Sequence, residues 1–197
     1  MLLYIFGGLA VVVIAVLLVA ATRPGTFRIA RTVTIRATPD ELYPLIEEPR
    51  AHEQWSPFVR RDPAMQKIYV GPVRGVGAAL DFDGGNKSGA GRFTVTGVTP
   101  PRAVTMRLQM TKPMSCDNLV EFTLEPKGAE TTDVTWAMSG GRPFFAKVMC
   151  LAIDMDDMCG RDFLDGLNRL KGIVEGETHP AASTAATAPV YAGAHAS

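Results

Sequence analysis

The side chains that could carry out acid–base chemistry are concentrated in one late stretch of the chain: Asp154, Asp156, Asp157, Asp162 and Asp165. Asp154 and Asp157 are three residues apart, so on a helix their carboxylates would point the same way. Such a pair could hold a proton in a cavity or bind a cation. We adopt the simpler interpretation of a solvated helix face, with Asp157 paired to Arg161 four residues later.

Histidine is scarce. His52 is the only histidine outside the C-terminal tail, and no second histidine or cysteine stands at a metal-ligand spacing from it, so no metal site is predicted. We expect His52 on the surface of a short helix. The alternative is an acid–base role in a pocket, with His52, Asp154 or Asp157 as the titrating group. No residue is assigned as catalytic, and no cofactor is predicted.

The segment from Gly84 to Gly89 faintly suggests a phosphate-binding loop, since it contains three glycines, Lys87 and Ser88. The Walker spacing is absent, and no strand-to-helix context surrounds the segment. It therefore predicts a hairpin turn.

Asn118 is the most informative polar residue. It shares the strand parity of Cys116, Val120 and Phe122, so its side chain should point inward. A buried amide needs hydrogen-bond partners, and in an apolar pocket it could fix the polar end of a ligand. The alternative is an amide near a strand end that bonds the backbone or water.

The hydrophobic pattern predicts the elements that position these residues. Alternation from Phe27 to Ala37 indicates a half-buried strand, and Thr38-Pro39-Asp40-Glu41 is a capping box that begins a helix. A second short helix is predicted from Pro49 to Trp55, ended by Pro57. Six more alternating segments follow between Ile68 and Gly140, among them one from Val76 to Asp83. Short turns join them, so the strands must be antiparallel.

A long helix is predicted from Pro143 to about Glu175, because apolar residues recur there at spacings of three and four. The fold class is therefore α+β, with a curved antiparallel sheet wrapped around one long C-terminal helix. A single helix cannot fill a strongly curved sheet, so an internal cavity is expected.

Five segments carry a family resemblance: IRATPDELY at 35–43, QWSPF at 54–58, the glycine-rich stretch 71–78, NLVEFTLEP at 118–126 and VTWAM at 134–138. The chain resembles the helix-grip fold of the START/Bet v superfamily, also called SRPBCC, and most of all its polyketide cyclase/dehydrase-like branch. The resemblance covers about 27–175. It implies a deep hydrophobic pocket between sheet and helix that holds lipids, sterols, polyketides or other apolar ligands.

The candidate cavity residues are mostly large apolar side chains, which could equally form an ordinary core. They are Trp55, Phe58, Phe82, Phe93, Met106, Met110, Asn118, Phe122, Trp136, Met155 and Cys159.

An uncharged run of 20 residues, Leu2–Ala21, opens the chain. As a helix it would span roughly 30 Å, the thickness of a hydrocarbon core, so it predicts a single-pass anchor in the lipid bilayer. A cleaved signal peptide is the alternative, but no Lys or Arg precedes the run. Arginines just after the run favour a cytoplasmic domain. The predicted division is anchor 1–22, linker 23–26, helix-grip domain 27–176 and a disordered Ala/Thr/Pro-rich tail 177–197.

The net charge and the cysteine content exclude some classes of function. The formal net charge is 0 and the three cysteines show no disulfide framework, so neither a nucleic-acid partner nor an oxidising compartment is indicated. Three functions stay open: a membrane-anchored binding module for an apolar ligand, a cyclase- or dehydrase-like enzyme, and a non-catalytic interaction or stress protein. Protein partners are not identified.

The tail contains no Lys, Arg, Asp or Glu after Glu177, and it is too poor in large apolar residues to bury surface. Deleting residues 178–197 is therefore expected to leave the melting temperature within about 2 °C of the full chain's, because little native contact is lost. Thermal denaturation followed by circular dichroism measures this, and a large fall would show that the tail packs on the domain.

Overall fold

A computed structural model of the chain describes residues 18, 21–22, 24–142 and 155–176. In chain order the elements are β1 (Thr26–Ile35), α1 (Pro39–Glu47), α2 (His52–Trp55), α3 (Pro57–Arg60), β2 (Gln66–Val70), β3 (Ala79–Asp83), α4 (Gly85–Ser88), β4 (Ala90–Thr99), β5 (Ala103–Lys112), β6 (Cys116–Pro126), β7 (Thr132–Gly141) and α5 (Met155–Val174).

The seven strands form one antiparallel sheet in the order β1-β7-β6-β5-β4-β3-β2. Strands β2 to β7 each pair with the next in sequence, and β1 pairs along its whole length with β7, from Thr26 opposite Gly141 to Ile35 opposite Thr132. The first and last strands are thus neighbours. The predicted α+β architecture, a curved antiparallel sheet with a long C-terminal helix, is confirmed.

The two ends of the sheet are distinct. At one end, here called the Thr26 end, lie the start of β1, the end of β7 and the start of β6. At the other, the Ile35 end, lie the end of β1 and the start of β7. The face of the sheet that carries Ile35, Phe122 and Trp136 packs against α5 and is called the inner face.

Helix α1 begins as its capping box predicts. The carboxylate Oε2 of Glu41 accepts a hydrogen bond from the backbone N–H of Thr38 at 2.8 Å and from its hydroxyl at 2.9 Å. These bonds lower the pKa of Glu41, because they stabilise the charged carboxylate.

Two predicted boundaries were wrong, and the predicted hairpin turn has a helical element. The second short helix begins at His52 rather than Pro49, and Pro57 begins α3 at a position where its missing N–H is tolerated. Strand β3 begins at Ala79 rather than Val76, because Gly75 and Gly77 take positive φ angles of 84° and 91° and leave the Val76 side chain 58% exposed. The hairpin turn contains one helical turn, α4.

The predicted anchor Leu2–Ala21 lies almost wholly outside the described residues, and residues 143–154 of the predicted long helix and the tail lie outside them too. Within the described ranges, no helix has both the length and the apolar character needed to cross a membrane.

Helix α5 is fixed along β1 by two arginines. Arg36 donates from its backbone N–H to Glu175 at 2.7 Å and from Nη2 at 3.0 Å, and the Glu175 side chain is only 2% exposed. Near the other end, Arg31 donates to the Asp156 carboxylate at 3.0 Å and its guanidinium covers Gly160. The pKa of Glu175 is lowered, chiefly by the backbone N–H of Arg36.

Helix α5 approaches the sheet closely at Gly166. A Cβ atom there would lie 2.8 Å from Cζ3 of Trp136 and 2.9 Å from Cδ of Pro57, both closer than van der Waals contact. The absence of a side chain therefore lets the helix backbone rest on the indole ring. This contact sets the depth of the helix in the sheet.

Replacing Gly166 by alanine is expected to destabilise the protein by about 1–3 kcal/mol, because the added methyl group overpacks the interface. The direction of the change in unfolding free energy identifies the cause, since a glycine-to-alanine change inside a helix normally stabilises by roughly 1 kcal/mol. Gly128→Ala is the control, because nothing lies within 4 Å of its Cβ position. Urea denaturation measures both variants; equal stability of Gly166→Ala and the parent would contradict the close contact.

Candidate functional site

The inner face of the sheet holds a cluster of aromatic rings. Trp136 stacks on Phe163 of α5 with ring centres 4.5 Å apart and planes 7° apart. Trp55 and Phe122 pack against the same indole, with ring centres at 5.4 Å and 5.0 Å. Such pairs add to the burial energy of the rings. The cluster closes the middle of the inner face.

Four of the predicted cavity residues belong to this closed region. Trp55, Phe122 and Met106 are fully buried, and Trp136 is nearly so. Phe58 lies at the rim, where its ring contacts Trp136 at 5.9 Å and stays 40% exposed. The rings contact one another, His52 and Phe163 of α5, as in an ordinary core.

The indole nitrogen of Trp136 and the hydroxyl of Tyr43 are buried without a hydrogen-bond partner in the described structure. Burial raises the pKa of Tyr43 to about 12, with a smaller contribution from the charge of Glu47. Tyr43 is therefore protonated at any physiological pH.

At the Thr26 end the inner face is less closed by the residues that the structure describes. Phe27, Phe93, Leu108 and Met138 are only partly buried, although they border the core. Phe82 and Met110, two further predicted cavity residues, lie at the same end and are also half-buried. Gly91 of β4 leaves room for the Phe82 ring, because a Cβ at Gly91 would lie 3.1 Å from Phe82 Cζ.

Asn118 lies on the inner face at this end, as its parity predicted, and is 8% exposed. Its amide nitrogen contacts the sulfur of Cys116 at 3.6 Å and that of Met138 at 3.9 Å. Sulfur is a weak acceptor. Burial raises the pKa of the Cys116 thiol, so Cys116 is a neutral thiol here.

Two of the predicted cavity residues, Cys159 and Met155, belong to α5. Cys159 is half-buried and packs against the core. Met155 is the first described residue of α5, and its side chain is outside the description.

His52 is not a surface residue, which corrects the sequence prediction. It is 4% exposed and lies among the rings of Trp55, Phe93 and Phe122, the nearest with its centre 4.6 Å away. Its Nε2 lies 2.7 Å from the carbonyl oxygen of Ile46 and so carries the proton. The one available signal was the i, i+3 spacing of His52 and Trp55, which places both on one side of a helical turn.

Burial lowers the pKa of His52 to about 4, because the charged imidazolium loses its hydration; the hydrogen bond to Ile46 opposes this shift only in part. At neutral pH His52 is therefore uncharged and donates one hydrogen bond that holds α2 to the end of α1.

The acidic stretch of α5 is a solvated face, as predicted. Each of its described aspartates is in an ion pair with an arginine: Asp156 with Arg31, Asp157 with Arg161, Asp162 with Arg61, and Asp165 with Arg169. The i, i+4 pair of Asp157 and Arg161, with a nitrogen–oxygen distance of 2.9 Å, is confirmed. Asp154 lies outside the described residues. Among the residues that are described, no group of three His, Cys, Asp or Glu side chains could hold a metal ion.

A groove of about 740 Å³ lies on the outer face of the sheet, opposite α5. Its lining includes the polar residues Arg28, Thr96, Arg107, Asp117 and Ser139, but Phe27, Leu119 and Gly140 also line it and most of its exposed surface is apolar. Arg107 and Asp117 form an ion pair within it. The groove does not coincide with the cavity predicted between sheet and helix.

Acid is expected to destabilise the protein through His52. Its folded-state pKa of about 4 lies below the unfolded value of about 6.5, so the unfolded chain binds the proton more readily and stability falls as pH drops from 6.5 towards 4. Between pH 7 and pH 5 the parent should lose about 2 kcal/mol more than His52→Phe, which cannot titrate.

Denaturant unfolding of both proteins at the two pH values measures this difference. Comparing the losses removes the contribution of the carboxylates, which both proteins share. An equal loss of stability in the two proteins would show that His52 is hydrated and not buried.

The sequence and the fold of this chain are similar to those of known proteins. A sequence model of the family described as polyketide cyclase / dehydrase and lipid transport matches residues 26–175. None of the curated proteins matches the chain.

Solved structures share the fold at low sequence identity. DynU16, from the dynemicin biosynthetic locus, has a TM-score of 0.53 and 23% identity over 75% of this chain, which spans only 47% of DynU16. Protein MLL2253 from Mesorhizobium loti has a TM-score of 0.56 and 16% identity, covering 76% of this chain and 98% of its own. Norcoclaurine synthase from Thalictrum flavum, solved in complex with dopamine and hydroxybenzaldehyde, has a TM-score of 0.54 and 12% identity, covering 78% and 89%.

Proposed function

Since this chain belongs to the polyketide cyclase / dehydrase and lipid transport family, we propose that it is a membrane-anchored binding module for a small hydrophobic ligand, held at the Thr26 end of the inner sheet face. The family match and the shared fold confirm the superfamily that the sequence resembles. The identity of the ligand, its site and the anchor are the parts that we propose.

The observation that carries the proposal is a difference in burial along one face of one sheet. At the Ile35 end, the inward side chains of Ile35, Val104, Leu124 and Val134 are at most 1% exposed, although Val33 and Val98 are partly buried. At the Thr26 end, Ile29 is 2% exposed, but the inward side chains of Phe27, Leu108, Met110 and Met138 are only partly buried. Apolar surface that a ligand covers contributes about 25 cal/mol per Å², so this end offers binding energy that the closed end does not.

The side chains at the open end suit a loosely specified apolar ligand. Met110 and Met138 are unbranched and polarisable, so they can adapt to different shapes. Phe27 and Phe93 add flat aromatic surface. Asn118 is a buried polar side chain among them, and a few polar groups in an apolar lining are usual in small-molecule sites.

The acid–base alternative finds less support among the described residues. His52 is uncharged at neutral pH and its Nε2 proton is engaged by Ile46. Asp157 is on the solvated side of α5, paired with Arg161. A binding role needs neither residue to titrate, so it fits these contacts better than a cyclase- or dehydrase-like reaction does.

The position of the predicted anchor supports a lipid or another bilayer-soluble molecule as the ligand. Ala21, the last residue of the apolar run, is five residues before Thr26, a distance of at most about 18 Å. The open end of the inner face is also the Thr26 end. An anchor in the bilayer would therefore hold the ligand site close to the membrane surface.

A tryptophan at position 138 is expected to fill the open end and exclude the ligand. The full chain, purified in detergent, should carry about one equivalent of a small apolar molecule, and Met138→Trp at least tenfold less. Thr123→Trp is the matched control, since Thr123 is exposed on the outer face of the neighbouring strand and is not among the residues that line the groove. Solvent extraction followed by mass spectrometry measures the content of all three proteins.

Detergent and loosely bound lipid contribute equally to the three samples, so only the difference counts as ligand. If the folded parent carries no more apolar material than Met138→Trp, the proposed site is wrong. Circular dichroism spectra must first show that both variants are folded.

A further inference from the structure

We propose that Asn118 determines the specificity of this site, and that the ligand carries an uncharged carbonyl oxygen that accepts a hydrogen bond from the Asn118 amide. The inference rests on the proposed function, because it concerns the same open end of the inner face. It adds a chemical requirement that an apolar surface alone would not impose.

The amide group is withdrawn from bulk solvent and is surrounded by apolar side chains. Asn118 is 8% exposed, and its partner across the ladder is the half-buried Leu108 of β5. Met138 lies beside it on β7. A polar group in such surroundings is normally hydrogen-bonded to a strong acceptor or donor.

The amide nitrogen has only weak acceptors in the described structure. Its hydrogen bonds go to Cys116 Sγ at 3.6 Å and to Met138 Sδ at 3.9 Å. A carbonyl oxygen would accept the same N–H at about 2.9 Å and bind it far better than a sulfur atom does. The site therefore contains a strong donor that lacks a matching acceptor.

Gly140 fixes which end of the amide faces the site. A Cβ at this position would lie 2.1 Å from Asn118 Oδ1, so the side-chain oxygen rests directly against the backbone of β7. With the oxygen there, the amide nitrogen points to the two sulfur atoms, of Cys116 on β6 and of Met138 on β7. The donor end of the amide is thus the end available to a ligand.

The charges near this end favour a neutral acceptor over an anion. Cys116 is a neutral thiol, because burial raises its pKa. Arg31 faces inward but is engaged by Asp156, Arg107 lies on the outer face with Asp117, and Arg142 covers the Phe27 ring, with its guanidinium carbon 5.7 Å from the ring centre. A buried carboxylate or phosphate would need a counter-charge beside it, whereas a ketone or ester carbonyl needs only the hydrogen bond that Asn118 can donate.

Matched probes that differ by one carbonyl test the inference. Binding of 1-tetralone and of tetralin to the full chain in lipid nanodiscs is measured for the parent, Asn118→Leu and Gln109→Leu. Gln109 is the control, because it is an exposed amide on β5, opposite Asp117 of β6. The ratio of the two affinities is compared between proteins, which cancels the unequal partitioning of the probes into lipid.

The parent and Gln109→Leu are expected to show the same ratio, and Asn118→Leu should shift it about five- to tenfold towards tetralin, as for the loss of one hydrogen bond. An unchanged ratio in Asn118→Leu, with both probes still bound, would overturn the role of Asn118 and leave the binding function standing. Binding of neither probe to the folded parent would overturn the inference and the proposed function together.

A second readout needs no variant and remains decisive if Asn118→Leu does not fold. The side-chain amide protons of Asn118 give nuclear magnetic resonance signals that are identified by their proximity to the Met138 methyl group. Tetralone should shift these signals downfield and tetralin should not. Equal shifts with both probes would contradict a hydrogen bond to the carbonyl.

Discussion

The contact between the backbone of α5 and the indole ring of Trp136 determines how the rest of this molecule is arranged. Gly166 allows it, since a methyl group there would lie 2.8 Å from the ring. Phe163 then stacks on the same indole, and Trp55 and Phe122 complete the cluster. Arg36 and Arg31 hold α5 along β1, at Glu175 and at Asp156. The helix is therefore fixed in depth by one contact and in direction by two.

A helix fixed in this way closes the middle and the Ile35 end of the inner face more completely than the Thr26 end. The difference is visible within single strands: on β5, Val104 and Met106 are fully buried, whereas Leu108 and Met110 are half-buried. Strand periodicity makes all four point to the same side. A ligand at the Thr26 end would complete the burial that α5 begins, and the Asn118 amide would supply its one directional contact.

The sequence predicted what depends on local periodicity and little of what depends on packing. The alternation of apolar and polar residues predicted the strands and the inward direction of Asn118. The i, i+4 spacing predicted the ion pair of Asp157 and Arg161. Parity cannot tell Met106 from Met110, because their burial depends on which parts of the chain cover each end of the sheet. His52 was misplaced for a similar reason, since a four-residue helix is too short to show which side is buried. Val76 lies outside β3, contrary to the prediction, because Gly75 and Gly77 on either side of it have positive φ angles.

The claim that a ligand binds at the Thr26 end can be tested most directly with methionine methyl groups as reporters. The chain has nine methionines, and ¹³C-methyl labelling gives each a separate signal in the full-length protein. Addition of 1-tetralone should shift the signals of Met110 and Met138 and produce contacts between their methyl protons and the ligand, while Met106 in the closed core stays unchanged. Ligand contacts confined to Met106, or none to Met110 and Met138, would contradict the account.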